Sequence, residues 1–135
     1  MNTQQFEKRF EKIVTVSLIP KPRTDTAVLT LTGERLRYPY VLLQILVDLA
    51  QQKANEGSRL NEDIFLPEKI TRFSHSESEV VVLFDLPSTV SEALGSFKET
   101  NIVIVSTAEE NGVVLGWRYV NEDSSSIRSL DQGYL

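Results

Sequence analysis

Residues 39 to 55 read Pro-Tyr-Val-Leu-Leu-Gln-Ile-Leu-Val-Asp-Leu-Ala-Gln-Gln-Lys-Ala-Asn. Pro39 suits the first position of a helix, where its missing N–H leaves no hydrogen bond unmade. Val41, Leu42, Leu43, Ile45, Leu46, Val47, Leu49 and Ala50 follow almost without interruption. Such a segment is apolar nearly all round, which predicts a helix buried on more than one side. Gln51, Gln52, Lys53 and Asn55 make its C-terminal half polar, and Gly57 is a natural left-handed stop. A helix of this kind must lie across a sheet, and the flanking sequence supplies one.

Ile13–Ile19 and Ala27–Thr32 are rich in β-branched residues and are separated by Pro20-Lys21-Pro22-Arg23, so they read as a hairpin whose connection is a rigid break rather than a groove ligand. Asp63–Leu66 and Lys69–Phe73 are short strand candidates split by Pro67. Val80-Val81-Val82-Leu83-Phe84 is a continuous apolar run, the composition of a strand covered on both faces. Ile102–Ser106 and Val113–Val120 make a last hairpin through Asn111-Gly112, a strong turn pair.

Two further helices are expected. Phe6, Phe10 and Ile13 recur at helical spacing over Thr3–Lys12, although Glu7–Glu11 and Lys8–Lys12 pair like charges four apart and weaken that helix. Thr89 and Glu92 fit a capping box ahead of Val90, Leu94 and Phe97. The expected fold is therefore α+β: one domain over residues 1–120, a mostly antiparallel sheet packed on one face by the central helix, with an N-terminal helix and a short third helix. Residues 121–135 read as a polar C-terminal tail carrying apolar anchors.

The chain has 135 residues, 14 Lys and Arg against 19 Asp and Glu, a net charge of −5, one His and no Cys. Without Cys, thiolate metal sites, thiol nucleophiles and disulfide scaffolds are excluded. An acidic balance argues against binding driven by phosphate contacts, so no nucleic-acid partner is expected. The N-terminus has no signal-like apolar core, and Tyr40–Ala50 is too short to span a bilayer, which takes about 20 apolar residues. A soluble cytoplasmic protein without a membrane partner is expected.

Candidate chemistry is sparse. His75, among Ser74, Ser76, Glu77, Ser78 and Glu79, could act as a base or single metal ligand; it also fits a polar turn between strands. Glu62-Asp63 and Glu109-Glu110 are adjacent carboxylates in loop-like sequence, where both stay solvated. Thr32-Gly33-Glu34-Arg35 is a lone turn, not a phosphate loop. No catalytic residue, metal or cofactor is therefore assigned, and no enzyme is expected.

Contact-forming residues are better represented. Arg35, Arg37, Tyr38 and Tyr40 form a basic–aromatic cluster of the type that anchors interfaces, although one Tyr could belong to the core. Ile127, Leu130, Tyr134 and Leu135 stand in a polar tail, the first three at i, i+3, i+7, as in a segment that folds on a partner or a second copy, or packs back on its own domain. Trp117 alternates with Val113, Leu115 and Tyr119 along a strand, and Gly116 beside it allows close approach of another segment, so Trp117 reads as a partner contact or as an ordinary core residue.

The reading is a non-catalytic protein–protein interaction module, such as an assembly factor, adaptor or dedicated chaperone, that binds a protein or peptide segment and could form a homodimer. Helix, sheet and acidic surface together resemble small assembly and secretion chaperones at the level of fold alone. The alternative is an α+β domain with an apolar pocket for a small ligand or modest enzymatic chemistry, lined by His75, Tyr38, Tyr40, Tyr119 and Trp117.

Overall fold

The computed structural model describes residues 9–21, 25–58, 65–86, 97–108 and 112–130. Among the described residues seven antiparallel strands form one sheet in the order β3-β4-β2-β1-β5-β6-β7. These are β1 (Phe10–Lys21), β2 (Thr26–Thr32), β3 (Ile70–His75), β4 (Glu79–Asp85), β5 (Phe97–Ser106), β6 (Val114–Tyr119) and β7 (Arg128–Ser129). A single α-helix among the described residues, α1 (Pro39–Ser58), lies over one face, and a 3₁₀ turn at Pro67–Lys69 leads into β3. No helix among the described residues is long and apolar enough to cross a membrane.

Period-2 alternation builds the core. Val14, Val16 and Leu18 of β1, Ala27, Leu29 and Leu31 of β2, and Val80, Val82 and Phe84 of β4 are buried against the helix. Ile102, Ile104 and Trp117 complete that face, and Leu42, Ile45, Leu46, Leu49, Ala50 and Ala54 meet it from α1. Each fully buried aliphatic side chain contributes about 1.5–3 kcal/mol, so this layer carries most of the stability.

The α+β class and the central helix stand; where the two flanking helices were expected, the described ends Phe10–Lys12 and Phe97 are strand. Phe10, Glu11 and Lys12, expected in the N-terminal helix, open β1 and pair with Ser106, Val105 and Ile104. A ladder on an existing strand outweighs a short helix already weakened by like charges. The rest of that segment, residues 3–8, lies outside the described residues. So does most of the expected third helix, but its last apolar position, Phe97, begins β5 opposite Leu18. The expected strand at 63–66 is also absent where described: Phe65 and Leu66 precede the 3₁₀ turn without strand pairing.

The loop before α1 is fixed to the β3–β4 hairpin. Gly33 and Leu36 donate their N–H groups to the carbonyls of Ser78 and Glu77 at 3.1 and 2.7 Å. Arg35 and Tyr38 take positive φ values of 50° and 59°, and the Tyr38 carbonyl accepts from Val41 and Leu42 to start the helix. This sharp entry delivers Pro39 and Tyr40 onto the sheet.

Candidate functional site

The helix has more apolar surface than the sheet can cover. Leu43 and Val47, on the flank of the helix where they also pack against the core, stay half-buried. They floor a groove of about 700 Å³. Leu66, Pro67 and Ile70, adjoining the β3 edge, and Ser129 and Leu130, at the β7 edge, supply further lining. Gln44, Asp48 and Gln51 add polar groups along the helix, and Tyr40 stands at its N-terminal end, 69 % exposed.

Local contacts hold the groove open. The Phe65 N–H donates to Gln51 Oε1 at 3.0 Å, and the buried Phe65 ring meets Phe84 edge-to-face at 5.3 Å. Residues 65–70 are thereby pinned beside α1. Tyr40 packs on Phe73 at 5.5 Å, and Phe73 on His75 at the same distance, so an aromatic row runs from the groove mouth along the β3 edge.

At the other end, residues 121–130 turn back onto the sheet. Arg128 is the clamp. Its guanidinium lies 4.8 Å from the Trp117 ring centre and 4.7 Å from that of Tyr119. It donates to both carboxylate oxygens of Glu122 at 2.6 and 3.1 Å and through Nε to Gln52 Oε1 at 3.1 Å. Trp117 donates its indole N–H to Asp48 Oδ2 at 3.0 Å, tying β6 to α1. On the opposite sheet face Arg118 gives Nη1 to the carbonyls of Tyr119, Val120 and Glu122 and Nη2 to Glu11 Oε2 at 2.9 Å, which fixes the turn after β6.

These contacts set the local titration. The Arg128 hydrogen bonds, then the Tyr119 backbone N–H, hold the Glu122 carboxyl below its ordinary value of 4.5. Burial pushes the Tyr119 phenol up, and the nearby Glu56 charge adds to it. A carboxyl with a lowered folded-state value stabilises the fold above its unfolded value, and that stability disappears as pH falls through the folded value. Denaturant midpoints are therefore expected to fall as pH drops from above 4.5 to below it. Glu122→Gln should make this part of the profile shallower. An unchanged acid limb in the variant would show that the pair does not hold the segment.

The residues singled out in the sequence separate into three sets. Tyr40 and Leu130 line the groove. Arg37 and Tyr38 border a smaller cleft of about 60 Å³ with Lys12, Leu36 and Gly112, and Arg35 is exposed nearby, its carbonyl accepting from Lys12 Nζ. Trp117 is fully buried, with no surface to offer a partner, and Ile127 lies against Gly116. The helical spacing of 127 and 130 is not used, since Arg128 and Ser129 pair with Trp117 and Gly116 as β7. Tyr134 and Leu135 lie outside the described residues, as do Glu62-Asp63 and Glu109-Glu110. His75 is exposed on the edge strand β3, and among the described residues no three His, Asp or Glu side chains converge to hold a metal ion.

Leu43, Val47, Leu66 and Ile70 were not singled out as site residues. The all-round apolar character of α1 is the signal for Leu43 and Val47, which the sheet only half covers; nothing local marks Leu66 and Ile70. Comparison with known proteins gives no match: no protein family, no curated protein and no solved structure is significantly similar to this chain.

Proposed function

We propose that this protein is a non-catalytic interaction module that holds an apolar segment of a partner protein in the groove over α1. One observation carries the reading: an apolar floor of Leu43 and Val47, lined also by Leu66, Ile70 and Leu130, and bordered by the side-chain amides of Gln44 and Gln51 and the Asp48 carboxylate. Apolar area removed from water there is worth about 25 cal/mol per Å². The Asp48 carboxylate, which accepts the Trp117 N–H at Oδ2, has its second oxygen to offer a basic side chain. Tyr40 is placed as an aromatic anchor at the mouth, the residue type most often found at binding hot spots. An adaptor, an assembly factor or a dedicated chaperone would use such a groove.

Selection from a random peptide library on the full chain tests this. The selected peptides should be rich in apolar residues, and Val47→Glu should weaken their binding by about tenfold or more, since a buried unpaired carboxylate costs at least 1.4 kcal/mol. Val47 is only half-buried, so the variant should keep its circular dichroism. Peptides that bind Val47→Glu as well as the parent chain would refute the groove as the site.

The groove volume also lies within the range of small-molecule pockets, which favours an apolar small ligand as the second reading. Native mass spectrometry separates the two: a purified chain carrying a stoichiometric small mass supports the ligand, and a bare chain that binds the selected peptides supports the interaction module.

A further inference from the structure

The sheet has a second face, and α1 covers only the first. On the open face the register sets Leu83, Val28 and Ile19 side by side across β4, β2 and β1. Val81, Thr30 and Ser17 form the row on one side, and Asp85, Thr26 and Lys21 the row on the other. Ile19 is 53 % exposed, and Ile13, on the same face of β1, is 63 % exposed. Val28, Val81 and Leu83 are half-buried. The continuous run Val80–Phe84 has the composition of a strand covered twice, yet α1 takes only Val80, Val82 and Phe84. A contiguous apolar patch of this kind marks a contact surface.

We propose that the patch is the contact between two copies of this chain, packed sheet on sheet. Across β4, β2 and β1 its two central rows carry no charge, with the exposed Arg72 of β3 beside Leu83 at the margin, and the next row holds an acid and a base at opposite ends. A two-fold axis running along β2, midway between two facing sheets, returns each row to itself and exchanges β4 with β1. Leu83 then meets Ile19 of the second copy, Val28 meets its own counterpart, and Asp85 meets Lys21. The pattern is self-complementary, as an isologous interface requires. About an axis on β2 the five strands β3, β4, β2, β1 and β5 overlap; at about 4.8 Å per strand and seven residues of about 3.4 Å they give about 570 Å² on each copy, so the pair together exceeds the ~1,000 Å² that a specific interface clears. This contact is independent of the groove, because α1 lies on the other face and both grooves would point outward.

The test is the solution mass of the full chain by light scattering at about 100 μM, well above a micromolar dissociation constant. The expected mass is twice 15.3 kDa. Val28→Glu should give the 15.3 kDa monomer. Asp85→Lys alone and Lys21→Asp alone should each weaken the dimer about tenfold, since each places like charges together, and the double exchange should restore it. These two positions are exposed, so the exchanges keep the fold even where Val28→Glu does not. A monomeric parent chain overturns the proposal. So does a dimer indifferent to Val28→Glu in a folded chain, or a double exchange that fails to regain the mass lost in the single ones.

Discussion

A Gly116→Val chain is expected to lose the packing of residues 127–130 on the sheet. A Cβ at this position would stand 2.2 Å from the Arg128 carbonyl oxygen, 2.7 Å from Ile127 Cγ2 and 2.9 Å from the Arg128 carbonyl carbon. Two of these are backbone atoms of the neighbouring strand, held by the pairing of Gly116 with Ser129 and of Trp117 with Arg128. No rotamer change relieves such contacts, so either β6 or β7 must move. Forced overpacking alone costs about 1–3 kcal/mol. Displacing Arg128 from the two rings adds about 1 kcal/mol or more. A loss of about 2–4 kcal/mol in urea unfolding is expected, with a red-shifted Trp117 emission and new protease cleavage within residues 121–130. Unchanged emission and an unchanged midpoint would show that β7 is not part of the folded unit.

Removing Trp117 should have the larger effect. Its side chain has no exposed surface, stands edge-on to Tyr119 at 5.2 Å, bonds Asp48 through its N–H and lies under the Arg128 guanidinium. It is the joint between α1, β6 and β7. Trp117→Ala is expected to cost about 3–5 kcal/mol, a large share of the 5–15 kcal/mol that holds a typical domain together. Trp117→Phe keeps a ring for Arg128 to stack on and should cost less than half as much. Because this is the only Trp, circular dichroism in urea is the suitable measurement. A Trp117→Ala chain within about 1 kcal/mol of the parent would remove this residue from the core.

Much of this architecture was legible before the structure, and the misses share a cause. α1 could be read because Pro39, the apolar run to Ala50 and the polar exit at Gln51 are local features of one helix. The strands β2, β4 and β6 could be read because their side chains alternate or run apolar over short spans. Phe10–Lys12 was misread because helical spacing is visible in sequence, whereas its pairing with β5 joins residues more than ninety positions apart. The clamp was hidden for the same reason. Asn121–Ser126 has the composition of a linker, and nothing local shows that Arg128 will stack on Trp117 and Tyr119. Trp117, read as a partner contact or a core residue, is buried.

The site was partly legible. The excess apolar surface of α1 predicted burial on more than one side, and the sheet supplies only one of those sides. Leu43 and Val47 are the remainder, and they floor the groove. Val81 and Leu83 are the equivalent remainder on the sheet, on its open face. Two apolar surfaces on opposite sides of the sheet, left open by the described residues, therefore follow from the same surplus of apolar positions.

The groove is tested most directly by titrating a library-selected peptide into isotopically labelled full chain and mapping the amide and methyl shifts. Binding in the groove predicts the largest shifts at Leu43, Val47, Leu66, Ile70 and Leu130, with Ile13, Ile19 and Val28 unmoved. Shifts gathered on those last three residues, or spread over the sheet with Leu43 and Val47 silent, would contradict it.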